Sequence, residues 1–150
     1  MSEVLEENKI EKDDLTLASE LNSHKNIHAN HSYKLLELSE GYARTSINSQ
    51  KSETVDKENI VYDGSIFSAA NFCAMAAVNE EHTFLISANI DFLNQVNTED
   101  EEVIFEARAK SNISGKKQIE VQGKVNDITI FLGNFVAMKL DNKSLIKSTK

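Results

Sequence analysis

The sequence predicts an α+β fold in which an antiparallel sheet wraps around one buried helix. The segment 63–79 is rich in helix-favouring Ala and Met, and apolar residues occupy nearly every helical face of it, so this helix must be buried all round. The remainder alternates apolar and polar residues in runs separated by turns, which is typical of half-buried strands. One buried helix followed by four or more antiparallel strands makes an α+β domain.

Composition narrows the classes of partner. The 150 residues suffice for one domain with a real core. A net charge of −8 argues against direct binding of nucleic acid, which needs clustered Lys and Arg. No apolar run approaches the roughly 20 residues of a membrane-spanning helix, and the acidic start lacks the apolar stretch of a secretory signal. The single cysteine, Cys73, excludes an intramolecular disulfide. We expect a cytoplasmic protein without a membrane partner.

Three regions are predicted along the chain. Residues 1–31 form a polar N-terminal segment that is partly helical or disordered, residues 32–141 form the domain, and residues 142–150 form a C-terminal tail. Apolar residues at helical spacing follow two possible capping aspartates in the first region: Leu15, Ala18 and Leu21, behind Asp13 and Asp14. This segment could pack on the domain, contact a partner subunit or bind another protein.

Strands are predicted on both sides of the helix. Before it, Leu36 and Leu38 and then Ala43, Thr45 and Ile47 alternate with polar residues around a Glu40-Gly41 turn. After it, four strands are predicted. Three of them span 83–96, 103–111 and 128–140, and the strand before the last has Ile119, Val121, Gly123 and Val125 on one face. Hairpin turns are predicted at 114–117 and at Asn126-Asp127. The acidic run 99–102 is interpreted as a solvated turn.

The helix and the strand after it carry a more specific signature. Tyr62-Asp63-Gly64 leads into the helix, Ile66-Phe67-x-x-Ala70-Asn71 lies within it, and Ser87-Ala88-Asn89-Ile90-Asp91-Phe92 and Gln95-Val96 follow. Over roughly residues 33–140 the chain resembles the hotdog-fold acyl-CoA thioesterase superfamily, above all the acyl-effector domain of the bacterial regulator of fatty-acid and phospholipid synthesis. It is also similar to thioesterases of the phenylacetate-pathway type.

The resemblance implies a homodimer that binds acyl-CoA or a related thioester. The two helices would lie back to back under a continuous sheet, and the acyl-pantetheine would enter between the subunits near the helix N-terminus. Unpaired N–H groups there can donate to the thioester carbonyl, and Gly64 allows close approach. No metal and no organic cofactor are expected. The residues expected to bind the ligand are Tyr62, Asp63, Gly64, Ser65, Phe67, Asn71, Phe92 and Lys116. The acyl channel would be shaped by Phe67, Ala70, Phe72, Ile90 and Phe92.

Two positions in the signature depart from the thioesterase pattern. Those enzymes have His-Gly-Gly before the helix and an Asp within it, where this chain has Tyr62-Asp63-Gly64 and Asn71. Hydrolysis needs a carboxylate as base or nucleophile, and an amide cannot take a proton at neutral pH. The candidate catalytic residue is therefore Asp63, whose alternative role is to cap the helix, as Ser65 also could. The Tyr62 hydroxyl could bind a carbonyl or the ring could simply pack.

Other reactive side chains are assigned simpler roles. Cys73 is expected to pack in the core as an unreactive thiol. His24, His28 and His31 lack a fixed third metal ligand on a rigid element, and His82 is expected to be exposed. A basic cluster could hold CoA phosphates or be a solvated strand face; it comprises Arg108, Lys110, Lys116 and Lys117.

Three functional hypotheses follow. The first is a noncatalytic hotdog dimer that senses or carries an acyl thioester. The second is a weak thioesterase that uses Asp63 or a water held by Asn71. The third is an interaction module with a vestigial acyl site, whose N-terminal segment binds another protein.

Overall fold

The computed structural model describes residues 12–100, 102–111 and 114–140. The first eleven residues of the predicted polar segment, and the predicted tail 142–150, lie outside the described residues. The helices are α1 (Asp14–Ala18), α2 (Lys25–Asn30) and α3 (Asp63–Val78), and a 3-10 turn spans Ser49–Lys51. The strands are β1 (Lys34–Ser39), β2 (Tyr42–Asn48), β3 (Thr83–Phe92), β4 (Glu102–Ser111), β5 (Lys116–Val125) and β6 (Ile128–Lys139).

All six strands form one antiparallel sheet in the order β1-β2-β4-β5-β6-β3. Helix α3 packs against one face of the sheet, mainly against β4, β2 and β5. This arrangement confirms the predicted α+β class. Among the described residues, no helix has the length and apolarity needed to span a bilayer.

The core lies between α3 and the inner face of the sheet. Small side chains dominate the buried side of the helix and let it lie close to the strands: Ala69, Ala70, Cys73, Ala74, Ala76 and Ala77 are all buried. The sheet supplies larger partners, among them Phe105, Phe131 and Phe135. Gly123 makes room for them, since a Cβ there would lie 2.8 Å from the Phe105 ring. Small residues on one layer therefore accept aromatic rings from the other.

Alternation along the strands was predicted correctly in β4 and β5. Ile119, Val121 and Val125 all face the core. The hairpin between β5 and β6 also has its predicted turn, with φ of 48° at Asn126 and 68° at Asp127. Positive φ at both central residues is the conformation that two-residue hairpins need, and Asn and Asp tolerate it.

Two strand predictions were wrong in detail. In β1 the core residue is Leu35, not Leu36, because a register shift between Leu35 and Glu37 changes the alternation. Strand β3 ends at Phe92, not at residue 96. The chain leaves the sheet there, and the Val96 carbonyl instead accepts from the Val61 N–H at 2.8 Å, beside the start of α3.

The described part of the N-terminal segment packs on the domain. Asp13 caps α1 by accepting from the Thr16 N–H at 2.8 Å, as predicted. The apolar stripe differs from the predicted one, because Leu17 and Leu21 are buried in the core whereas Leu15 is 80% exposed. Helix α1 has only five residues and the chain then turns, so a helical stripe does not extend from 15 to 21. Residues 12–31 thus contribute core side chains.

Candidate functional site

The candidate site is the first turn of α3. Its N-cap is Tyr62, which makes no side-chain capping bond, and Asp63 is the first helical residue. The expectation that Asp63 or Ser65 caps the helix was therefore wrong. The Tyr62 carbonyl accepts from the N–H groups of Ser65 and Ile66. The N–H groups of Asp63 and Gly64 have no acceptor among the described residues, as expected for a helix start.

Two cavities flank this turn. We call the first the polar cavity; it has a volume of about 500 Å³ and its walls include Tyr33, Asn48, Lys51, Glu53, Ser65 and Ser68. We call the second the apolar cavity; it has a volume of about 640 Å³ and its walls include Val61, Ile66, Phe92, Leu93, Val96 and Ile130. Both volumes lie in the range of small-molecule sites, roughly 300–1,000 Å³.

Five of the eight predicted ligand-binding residues are divided between these cavities, whereas Phe67, Asn71 and Lys116 line neither. Tyr62, Gly64 and Ser65 line the polar cavity, while Asp63 and Phe92 line the apolar one. The dipeptide Asp63-Gly64 therefore forms a ridge between them. Backbone donors on this ridge carry the positive end of the helix dipole, which favours a carbonyl oxygen or an anion.

Gly64 lies directly beneath the Tyr62 ring. A Cβ on Gly64 would lie 2.4 Å from Tyr62 Cε2 and 2.9 Å from its hydroxyl oxygen. The ring thus rests on the helix backbone while remaining 47% exposed. An exposed ring in the wall of the polar cavity is placed to contact a ligand bound there.

Asn71 lies two turns into α3, on the helical face that carries Gly64. Its Oδ1 is buried and has no hydrogen-bond partner among the described residues. An unsatisfied buried amide oxygen costs about 1–3 kcal/mol. A donor from a ligand, from a second subunit or from an ordered water would remove that cost.

Phe67 and the remaining predicted channel residues are packed in the chain. The Phe67 ring stacks on Phe135 at 5.8 Å. Ala70 and Phe72 are fully buried in the core, and Ile90 packs against it. Neither described cavity beside α3 is lined by these four residues.

The wall of the polar cavity contains residues that sequence reasoning missed. The Tyr33 hydroxyl is hydrogen-bonded to Ser68, and burial raises the Tyr33 pKa. The ring packs between His31, at 5.1 Å, and Phe72, at 5.2 Å. Ser68 could have been found from its spacing, since it stands one helical turn after Gly64. Tyr33 could not, because it comes from a distant part of the sequence.

A second carboxylate also lies beside the site. Glu53 lines the polar cavity, and its backbone carbonyl accepts from the Tyr62 N–H at 2.8 Å. The sequence had offered Asp63 as the one acidic candidate. The polar cavity further includes Lys51, a cation that sequence reasoning did not single out.

The predicted basic cluster does not gather at this turn within one chain. Lys117 lies 3.5 Å from Glu80, just beyond the C-terminus of α3, and neighbouring Lys116 begins the same strand. Arg108 stacks over the Tyr42 ring at 4.7 Å. Lys116 therefore lies at the end of α3 opposite Gly64, about 24 Å away along a 16-residue helix.

The histidines and the cysteine have structural contacts. His28 Nε2 lies 2.9 Å from Asp14 Oδ1, and its ring faces Phe72 at 6.0 Å. His82 is exposed, as predicted. Cys73 is fully buried in the core, as predicted, and desolvation raises its pKa to about 12. No group of three or more metal-ligating side chains occurs among the described residues.

Comparison with known proteins places this fold. The chain superimposes on Cj0977, a sigma28-regulated virulence protein from Campylobacter jejuni, with a TM-score of 0.77 and 24% identity over 84% of this chain and 97% of that one. It also superimposes on the PaaI protein of the phenylacetic acid degradation operon of E. coli, with a TM-score of 0.65 and 13% identity over 93% and 91%. The chain has the hotdog fold.

Sequence comparison finds two curated relatives and no matching family profile. The chain is 32% identical over 108 residues to the transcription factor FapR of Geobacillus sp. (strain WCH70), covering 68% of this chain and 52% of the relative. It is 33% identical over 121 residues to the methylthioribose-1-phosphate isomerase of Aquifex aeolicus, and the match covers 81% of this chain and 26% of the relative. The chain thus spans about half or less of these relatives. The predicted likeness to the regulator is confirmed.

Proposed function

We propose that the protein binds acyl-CoA or a related acyl thioester as a noncatalytic sensor or carrier, and that it does so as a homodimer. The observation that carries this proposal is the ridge at Asp63-Gly64, with two free N–H groups between a polar and an apolar cavity. A thioester carbonyl over this ridge would accept from those groups. The likeness to the regulator and to PaaI-type folds supports the same ligand class.

Position 71 favours binding without turnover. The amide of Asn71 can donate to a ligand or accept from it, but it cannot act as a general base. Its unpaired oxygen gains a partner when a donor arrives. The thioester would therefore be held and not hydrolysed.

A weak thioesterase is the second candidate, favoured by the two carboxylates beside the ridge. Asp63 lines one cavity and Glu53 the other. Either could activate a water if it reaches the bound carbonyl. Only this candidate predicts that Asp63→Asn or Glu53→Gln abolishes thiol release while ligand binding persists.

The dimer is proposed from the free edge of the sheet. Strand β3 is a ten-residue edge strand that exposes apolar side chains, notably Phe84, Ile86 and Phe92. Long apolar edges are rarely left open in a stable protein. Pairing of β3 with its copy would satisfy the free backbone N–H and C=O groups of the edge, bring the exposed apolar side chains beside their copies and extend the sheet.

Substitution of one edge residue tests this assembly. Ile86→Lys should shift the protein from dimer to monomer in sedimentation experiments, because two buried ammonium groups would face the interface. Ile128→Lys is the matched control, since Ile128 is 60% exposed in the β5–β6 hairpin. If both variants sediment as dimers, as wild type does, the interface lies elsewhere on the protein.

The interaction-module hypothesis needs a gentler test than deletion of residues 1–30. That deletion would remove the buried Leu17 and Leu21 and uncover Phe72, so it would damage the fold itself. Substitution of the exposed Leu15 leaves the core intact. Loss of a protein partner on Leu15→Asp, with acyl binding unchanged, would favour this third hypothesis.

The deciding experiment combines binding and turnover on the same samples. Calorimetry with acyl-CoAs of several chain lengths should show saturable binding, and absorbance should show no thiol release above background. Asn71→Ala should weaken binding by about tenfold, because one hydrogen bond to the ligand is lost. The matched control is Asn134→Ala, on the exposed face of β6. Clear turnover would overturn the noncatalytic assignment, and absence of all binding would overturn the proposed ligand class.

A further inference from the structure

The two cavities beside α3 differ in chemistry. The polar cavity has a single aliphatic side chain, Ile47, among hydroxyl, amide and charged groups. In the apolar cavity, eight of the eleven lining residues are Val, Ile, Leu or Phe. An acyl thioester has the same division, since its carrier arm contains amides and a hydroxyl while its acyl chain is hydrocarbon. A thioester that lies across the ridge would therefore have its carrier arm in the polar cavity and its acyl chain in the apolar cavity.

The apolar cavity is a formed pocket with a buried floor. Val61, Ile66, Val96 and Ile130 are each at most 4% exposed. They come from three separate parts of the chain, two of which are joined by the Val61–Val96 backbone hydrogen bond of 2.8 Å. Burial of a hydrocarbon chain against such a floor raises affinity by about fourfold for each methylene.

One charge stands in this cavity. Asp63 is the only ionisable residue among those that line it, and none of them is basic. Its carboxylate is exposed and makes no hydrogen bond or ion pair with the other described residues. A second carboxylate that entered this cavity would meet a like charge and find no cation to compensate its lost hydration.

We propose that the apolar cavity takes the acyl group, that this group is an uncharged hydrocarbon chain, and that Asp63 excludes acyl groups ending in a carboxylate. The proposal rests on the proposed thioester binding and names the ligand class within it. Asp63 is then a residue that determines specificity by charge. Two carboxylates held within about 6–8 Å near a protein surface repel enough to change affinity by roughly tenfold.

Matched ligands isolate the effect of charge. Hexanoyl-CoA and adipoyl-CoA differ only in a terminal methyl and a terminal carboxylate, and both are measured by calorimetry. Wild type should bind hexanoyl-CoA at least tenfold more tightly. Asp63→Asn should reduce this ratio by roughly tenfold, and Asp63→Lys should reduce it further, because the local charge becomes positive. Glu40→Gln removes one charge in the β1–β2 turn, near the C-terminus of α3, and should leave the ratio unchanged.

A second pair of variants locates the acyl chain. Val55 lines the apolar cavity, while its neighbour Thr54 is exposed and does not. Val55→Trp should fill part of the cavity and weaken hexanoyl-CoA binding about tenfold while sparing acetyl-CoA, since the short chain does not reach the ring. Thr54→Trp should bind both ligands as wild type does.

Each part of the proposal has an outcome that overturns it. Equal binding of hexanoyl-CoA and adipoyl-CoA by wild type would overturn the exclusion of charged chains while leaving thioester binding intact. A ratio that stays constant across the Asp63 series would remove the role of Asp63. Equal losses for hexanoyl-CoA and acetyl-CoA in Val55→Trp would place the acyl chain outside this cavity. If no acyl-CoA binds at all, the proposed function fails first and this inference fails with it.

Discussion

Leu15 and Leu21 lie six residues apart in the same polar segment, and the structure predicts a large loss of stability on truncating Leu21 and almost none on truncating Leu15. Leu21 is 1% exposed and belongs to the core cluster, whereas Leu15 is 80% exposed on α1. The sequence pattern had placed both on one packing stripe. Leu→Ala at each position is therefore a matched pair that tests whether residues 12–31 are part of the domain.

Leu21→Ala should lower the free energy of unfolding by about 3 kcal/mol. Removal of a fully buried leucine costs about 2–5 kcal/mol in cores, depending on how far the cavity collapses. Leu21 sits at the edge of the core, where Asn79 ties its neighbours by bonds to the Asn22 N–H and the Glu20 carbonyl, so we expect a value in the middle of that range. Leu15→Ala should change stability by less than about 0.5 kcal/mol, since Leu and Ala have similar helix propensity and no contact is lost.

Urea unfolding followed by circular dichroism measures both variants. The midpoint should fall for Leu21→Ala with an unchanged slope, which would show that the stability changed and not the compactness. In thermal unfolding, the corresponding shift is roughly 6–12 °C for a chain of this size. The reasoning is refuted if Leu21→Ala unfolds like wild type, or if Leu15→Ala costs as much; either result would mean that the segment is not docked as described.

Three further predictions concern stability. Asp14 Oδ1 accepts from the Leu35 N–H at 2.7 Å and contacts His28 Nε2. Asp14→Ala should therefore lower the free energy of unfolding by about 1–3 kcal/mol, because it leaves that N–H unpaired. Asp14→Asn should lower it less, and the urea midpoints of the two variants test this. Gly133→Ala should destabilise by about 1–3 kcal/mol, because a Cβ would lie 2.6 Å from the Phe135 ring and 3.0 Å from Ile90, and thermal unfolding equal to wild type would contradict it. Burial raises the pKa of Cys73 and of Tyr42 to about 12 from ordinary values of 9.0 and 10.0. Between pH 9 and 12 the folded state keeps these protons while the unfolded state loses them, so the free energy of unfolding should fall as pH rises from about 9 to about 12. The fall should be shallower in Cys73→Ala. A free energy of unfolding that stays constant over this range in wild type would contradict the raised pKa values.

Much of the domain was predictable from local pattern. Alternation in β4 and β5, the Asn126-Asp127 turn and the burial of Cys73 all follow from short-range spacing, because each strand has one face on a common core. The helix signature around Gly64 and Asn71 likewise pointed to the candidate site. The core residue of β1 was predicted wrongly because the strand contains a bulge. One extra residue there turns Leu35 inward in place of Leu36, and simple alternation does not predict a bulge.

The site itself depends on distant contacts that no spacing reveals. The sequence by itself determined the fold class, the start of α3 and the absence of a carboxylate at position 71. Only the tertiary structure placed Tyr33 against Ser68, brought Glu53 beside Tyr62 and put Asp63 on the wall of a cavity that Ile130 also lines. It also separated Lys116 from the helix N-terminus. The reason is physical: periodicity reports which face of an element is buried, whereas a cavity forms where the ends of several elements meet, and that meeting is decided by packing across the whole sheet.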